Sequence, residues 1–193
     1  MSVAAGAARD PEHQALAALE RGDREEALTI LMEAFGAPLY RYCRQMVGDP
    51  DLANDVHQTT FLQAYEALSR SRPRGSPRSW LFGIARHRCL DALKASRRRR
   101  RRFEPVDDPP DLADSGIDAE ERLVVTAFSR VLERCLGNLV PRARAAVLLR
   151  YQSGVSYPEM AAICHERPAT LQARVARALP VLRRCLEGQG FSL

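Results

Sequence analysis

Carboxylate and imidazole groups crowd together at Asp51, Asp55 and His57, a set that would suit a divalent metal if its members shared a face. A helix turns about 100° per residue, and at that pitch the three do not share one. No nucleophile sits beside a base, and no glycine-rich run forms a phosphate cradle. The five cysteines, Cys43, Cys89, Cys135, Cys164 and Cys185, are odd in number and widely spaced, with no CxxC pair. That pattern argues against a disulfide framework or a zinc finger and for a reduced setting. Cys164, His165 and Cys185 leave one other arrangement open, a regulatory metal or redox site, against ordinary buried thiols. The expected chemistry is binding: no enzyme, no catalytic residue, no metal and no cofactor.

Binding groups are plentiful. The chain of 193 residues carries a formal charge of +5, and every one of its 29 basic residues except Lys94 is arginine. Arg97 to Arg102 run unbroken, whereas Asp107, Asp108, Asp111, Asp114 and Asp118 follow closely, so polyanion contact is expected at one place. Wound as a helix, the segment from Pro77 sets Leu81, Phe82, Ala85, Cys89, Ala92 and Leu93 on a core side. Trp80, Gly83, His87, Asp91 and Lys94 fall opposite, with Arg86 and Arg88 at the flanks. An exposed indole among cations stacks on an unpaired base, a contact worth roughly 1–3 kcal/mol, while arginines such as Arg97 and Arg98 grip phosphates. Alternatively, Trp80 packs on the preceding helix and the arginines form a solvated face.

A second basic face lies near the C-terminus. Leu171, Val175, Ala178, Leu179, Leu182 and Leu186 make an apolar stripe, which leaves Thr170, Ala173, Arg174 and Arg177 exposed at i, i+3, i+4 and i+7. Such a face fits a major groove, where Arg174 and Arg177 donate to guanine edges and Thr170 to phosphate. A tri-helical bundle with no DNA role shares the pattern. Earlier, Leu52, Ala53, Val56, Phe61, Ala64 and Leu68 form a core face with a structural His57 at its edge. Asp55, Gln58, Leu62 and Glu66 lie opposite, where an exposed leucine among polar residues suits a protein partner or is a stray surface side chain.

Helices must carry these faces, since no alternating strand pattern occurs. Capping and breaker residues predict helices from about Pro11 to Arg21, Asp23 to Val47 with a bend at Pro38, Asp51 to Ser69, and Pro77 into the arginine run. After the linker EPVDDPPDLADSGI come helices at about 118–136, 141–152, 156–164 and 168–187, the last two in helix-turn-helix order. The fold class is all-α: a disordered start (1–9), a helical bundle (10–103), a flexible acidic linker (104–117), a helix-turn-helix domain (118–187) and a tail (188–193), with two modest cores. No apolar run approaches a membrane span and the N-terminus lacks signal-peptide character, so a soluble, cytoplasmic chain without direct membrane insertion is expected.

Three segments carry a family resemblance: DLANDVHQTTFLQAY at 51–65, PRSWLFGIARHRCLDAL at 77–93, and LVPRARAAVLLRYQSGVSYPEMAAI at 139–163 followed by ATLQARVARAL at 169–179. In order and spacing they resemble the extracytoplasmic-function (ECF) group of bacterial RNA polymerase sigma factors of the sigma-70 family. The resemblance implies that Asp55, Gln58 and Leu62 dock on the clamp helices of the polymerase largest subunit. It implies that Trp80, Arg86, His87 and Arg88, with Arg97 and Arg98, read and melt the minus-10 element of promoter DNA. Thr170, Ala173, Arg174 and Arg177 would read the minus-35 element while their domain rests on the flap of the second-largest subunit. The acidic linker would pass near the RNA exit path as a nucleic-acid mimic, or simply be solvated. An anti-sigma factor is the further implied partner. Three departures stand out: His87 replaces the family's usual asparagine, His165 and Glu166 replace a glycine and a small apolar residue at the turn, and Pro180 predicts a kink or break near Ala176 to Leu179. The competing expectation is a stand-alone helix-turn-helix regulator that acts without core polymerase and dimerises on a two-half site.

Overall fold

A computed structural model describes residues 10–70, 73, 75–102 and 119–191, with the side chains of 100–102 and 119–127 outside the description. The expected disordered start, the acidic linker with both its boundaries, and the end of the arginine run therefore lie outside the described residues or side chains. Every regular element among the described residues is helical.

Local chemistry explains where the helices begin. Asp10 accepts from the Glu12 amide (3.2 Å) to open α1, Pro11–Glu20. Asp23 accepts from Glu26 (2.8 Å) to open α2, Arg24–Val47, which ends at Gly48 with φ of 82°. Asp49 caps α3, Pro50–Leu68, through the Leu52 amide (2.8 Å), with Pro50 in the first turn, where its missing N–H costs nothing. The start of α4, Pro77–Arg102, is capped from a distance: Glu12 of α1 accepts from Ser76 Oγ (2.5 Å) and the Arg78 amide (3.2 Å). A carboxylate there satisfies orphan donors and faces the positive end of the helix dipole.

The second half contains α5, Ala119–Gly137, and α6, Pro141–Val147, which widens into a π-helical turn at Leu148–Gln152. Then come α7, Tyr157–Cys164, opened by a reciprocal capping box between Ser156 and Glu159, and α8, Pro168–Glu187. Neither proline interrupts its helix: α2 runs through Pro38 and α8 through Pro180, so of the predicted kink or break near Ala176 to Leu179 the break does not occur. Pro180 and Ala176 are both exposed, which leaves the carbonyl that Pro180 cannot bond open to water. His165 ends α7 in the left-handed region (φ 54°, ψ 43°), its amide bonded to Ala161 O, and it is the one non-glycine at positive φ among the described residues. At the end of the described chain the Phe191 ring stands edge-on to Phe128 at 5.2 Å.

Helices α1 to α4 pack pairwise, with α2 against α1, α3 and α4, while α8 lies across α5, α6 and α7. The two modest cores that the sequence predicts are one: Leu39, Tyr42, Phe82 and Cys89 share a continuous apolar cluster with Leu136, Leu149, Met160 and Leu171. Tyr42 and Phe82 meet edge to face at 5.6 Å near its centre. One cation ties the halves. Arg144, 8 % exposed, donates to Met46 O at the end of α2 (2.7 Å) and to Gly137 O (2.7 Å) and Leu139 O (3.4 Å) at the end of α5. Helix C-termini present unpaired carbonyls and partial negative charge, which a buried guanidinium answers with several donors. Burial holds the Arg144 pKa below its ordinary value, with Arg97 adding to the effect.

Two stability tests follow from these contacts. Arg144→Met strips buried carbonyls of their donor, and urea unfolding should register a loss of about 3 kcal/mol; a change under 1 kcal/mol contradicts the tie. His165→Gly relieves the left-handed penalty, so its thermal midpoint should rise, by up to about 1 kcal/mol of added stability.

Candidate nucleic-acid and partner interfaces

Tertiary packing divides the row that helical winding places on one side of α4. Trp80 is half-buried against the main core and against the small cluster of Ala18, Leu19, Ala27 and Leu68. Gly83 faces Ile163 of α7, whose methyl would stand 3.7 Å from a Cβ at that position. Farther along, His87 is exposed, with Nε2 3.2 Å from Asp91 Oδ2, and Lys94 Nζ reaches Asp91 Oδ1 at 3.3 Å. Of the flanking arginines, Arg88 donates from Nε to Gln63 Oε1 of α3 (2.7 Å), and Arg86 is half-buried with its Nε unpaired. Arg97 and Arg98 stay exposed. Along this helix, then, His87, Lys94, Arg97 and Arg98 are open, while Trp80 and Gly83 are engaged.

The contact on α4 extends to its first turn. Ser79 Oγ donates to Glu159 Oε1 of α7 at 2.9 Å, so one carboxylate serves both the capping box and the contact between halves. Burial opposes its ionisation, but hydrogen bonds from Ser156 and Ser79, with Arg78 nearby, hold its pKa below the ordinary carboxylate value. Between the halves lies a cleft of about 340 Å³, with Arg86, His87 and Lys94 on one wall and Arg142, His165 and Glu166 on the other.

On α8 the predicted face is present. Thr170, Ala173 and Arg177 are exposed, and Arg177 Nε donates to Ala173 O at 3.2 Å. Arg174 differs: Nη1 donates to Glu166 Oε1 at 2.8 Å and Nη2 to Oε2, a forked pair anchored in the turn. The guanidinium holds the Glu166 carboxyl below its ordinary pKa. Glu166 was visible in the sequence only as a departure; it lies in the turn before α8, and only the turn geometry brings it to Arg174.

The outer face of α3 also matches expectation. Asp55, Gln58 and Leu62 are exposed, Leu62 at 67 %, and Tyr65 carries the apolar surface a further turn along the helix. His57 is structural, its Nε2 3.0 Å from Gly36 O and its ring edge-on to Tyr40 and Phe61. Sequence reasoning missed a second apolar surface, a groove of about 320 Å³ between α5 and α8. Leu132, Leu136, Leu179 and Leu182 form its walls, Val147 and Leu148 its floor, and exposed Tyr151 its rim. Leu179 and Leu182, counted as core from their spacing, are only half-buried.

The cysteine reading needs correction. Cys135 and Cys185 form a disulfide, with Cα atoms 5.7 Å apart, across 50 residues of sequence. Spacing rules search for local pairs, whereas this one is created by α5 packing on α8. Cys185 is thereby removed from any site with Cys164 and His165, and among the described residues no three His, Cys, Asp or Glu side chains are grouped to hold a metal ion. No helix among those residues is long and apolar enough to cross a membrane.

Comparison with known proteins accounts for both halves. Residues 31–100 match the family model described as Sigma-70 region 2, and residues 129–179 match Sigma-70, region 4. The ECF RNA polymerase sigma factor SigC of Mycobacterium tuberculosis is 32% identical over 183 residues, covering 93% of this chain and 94% of that protein. SigX of Bacillus subtilis is 26% identical, over 84% of this chain and 85% of its own. Among solved structures, RpoE in complex with the anti-sigma factor NepR from Bartonella quintana superposes with a TM-score of 0.68 at 22% identity, over 81% of this chain and 94% of that one. CnrH in complex with the cytosolic domain of CnrY also gives 0.68, at 24% identity, over 93% and 99%. The helical architecture, the order of the two matched regions and the near full-length similarity together make this chain a member of the ECF group of sigma-70 family RNA polymerase sigma factors.

Proposed function

We propose that this chain binds core RNA polymerase and directs it to promoters, with the α1–α4 half opening the minus-10 element and α8 reading the minus-35 element. The observation that carries the reading is the pairing of region 2 and region 4 matches on one chain with exposed faces on α3 and α8. A stand-alone helix-turn-helix regulator would have no use for the region 2 half. Bond-making stays with the polymerase, and the chain acts in the cytoplasm beside it.

Asp55, Gln58 and Leu62, extended by Tyr65, serve as the docking face for the clamp helices of the largest subunit; an exposed apolar centre with a polar rim is what a helical partner buries. The groove between α5 and α8 receives an apolar segment of the flap. His87, Arg97 and Arg98 meet the minus-10 strand, joined by Arg86, Arg88 and Trp80 once α7 withdraws from Gly83 and the indole can turn toward an unpaired base. Thr170, Ala173 and Arg177 face the minus-35 duplex directly, and Arg174 joins them by exchanging Glu166 for a guanine edge. An anti-sigma factor is a further partner, in keeping with the superposed sigma factor RpoE, whose structure is a complex with the anti-sigma factor NepR.

Run-off transcription with purified core polymerase across the chain's own genome tests the whole reading. Promoter-specific transcripts are expected. A chain that ignores core enzyme yet protects a palindromic duplex refutes it. Within that assay, Leu62→Asp should lower core binding at least tenfold, whereas Trp80→Ala and His87→Ala should slow promoter opening more than they weaken core binding. Glu166→Ala removes a negative charge from the reading face and frees Arg174. DNA affinity should then rise severalfold at low salt, with a steeper salt dependence and relaxed base preference in the minus-35 element; an unchanged salt slope contradicts the role given to the ion pair.

A further inference from the structure

We propose that Cys135 and Cys185 form a reversible dithiol and disulfide site, addressed by low-molecular-weight thiols and their disulfides, whose state sets the shape of the apolar groove between α5 and α8. Its effect on polymerase binding rests on the reading of that groove as the flap's docking site; the site itself does not.

The bond joins the last turn of α5 to the last turn of α8. Leu136 adjoins Cys135 and Leu132 is one turn before it, while Leu182 is one turn before Cys185. The covalent link therefore lies at the end of both groove walls. Apart from it, the two helix ends are held by a small satellite cluster built on Val131 and Leu186, with Phe128 and Phe191 against it, and by Arg134 Nη2 donating to Gln189 Oε1 at 3.4 Å. A link across 50 residues also removes many conformations from the unfolded chain. Breaking it should therefore be felt first at the groove.

The remaining thiols are poor competitors. Cys43, Cys89 and Cys164 are buried and free, and Cys43 together with burial pushes the Cys89 thiol up. Burial raises the Cys164 pKa, which keeps it a thiol. Cys185 is half-buried, with Asn138 Nδ2 at 3.5 Å from its sulfur, whereas Cys135 is 1 % exposed. Exchange accordingly begins at Cys185. A small thiolate attacks its Sγ, the Cys135–Cys185 bond breaks, and Cys135 leaves as a thiolate that takes a proton from water. A second small thiolate then attacks the outer sulfur of the mixed disulfide and releases Cys185, which is protonated in turn. Two small thiols have become one small disulfide, two electrons have passed to the protein, and its disulfide has become two thiols. Oxidation runs the same steps backward, with the small disulfide as acceptor. In a reducing compartment such a bond is transient and responsive, not permanent.

The test uses the full chain equilibrated in glutathione buffers of defined ratio, followed by alkylation, peptide mapping and amide hydrogen exchange. The 135–185 linkage should dominate in the oxidising buffer and vanish in the reducing one. Reduction should speed exchange at least tenfold over residues 128–136 and 178–187 and lower the thermal midpoint by on the order of 10 °C. Cys135→Ala should exchange at the reduced rate in either buffer. Because a preformed groove spares its partner an ordering cost, the oxidised chain should bind core polymerase severalfold tighter. The proposal is overturned if both cysteines are alkylated even in the oxidising buffer or if exchange over those segments ignores the redox state; equal, measurable binding of core enzyme by both states overturns its effect on the polymerase. If neither state binds core enzyme, the polymerase reading of the groove fails while the exchange data still decide the switch.

Discussion

The architecture depends on a buried guanidinium. Arg144 places its donors on Met46 O and Gly137 O, so the carbonyl ends of α2 and α5 converge on one positive charge. Without it, two sets of unsatisfied acceptors would meet in an apolar interior, a cost that packing alone does not recover. Arginine suits the position because its planar fork reaches several acceptors at once and keeps its charge when desolvated, whereas a lysine would shed its proton more readily. From this tie the continuous core follows: once α2 and α5 end at the same point, α6 lies beneath them and α7 is delivered onto α4.

That delivery has a functional consequence. Helix α7 settles on α4 through Ile163 at Gly83 and through Glu159 at Ser79, on the side where the sequence places a nucleic-acid face. The hydrogen bond at its edge is polar, and water can satisfy both of its groups after separation. In the helix-turn-helix Glu166 likewise keeps Arg174 paired and oriented. Both surfaces that we propose to face DNA are thus held in intramolecular contacts whose groups can be exchanged for others.

Much of the fold was legible in the sequence because its determinants are local. Asp23 announces a helix start through a side chain that reaches the amide three residues on, and the apolar stripes of α3 and α8 follow helical pitch. The outer faces with Asp55, Gln58 and Leu62, and with Thr170, Ala173 and Arg177, were legible for the same reason. Pro180 does not end α8, since the cost of proline depends on whether the bereft carbonyl meets water or protein. Trp80 was ambiguous from the start, because winding a helix reveals a face but not what covers it.

By itself, then, the sequence determined that the chain is helical, where the helices start, which faces are apolar, and, through its three motifs, the sigma factor family. Those properties depend on neighbours within about two turns and on residue order. Tertiary structure alone decided that the two halves share a core, that Trp80 and Gly83 are engaged while His87 is open, that Arg174 is paired, and that Cys135 meets Cys185. Each of these joins residues far apart in the chain, and no periodicity records a distance that only packing creates.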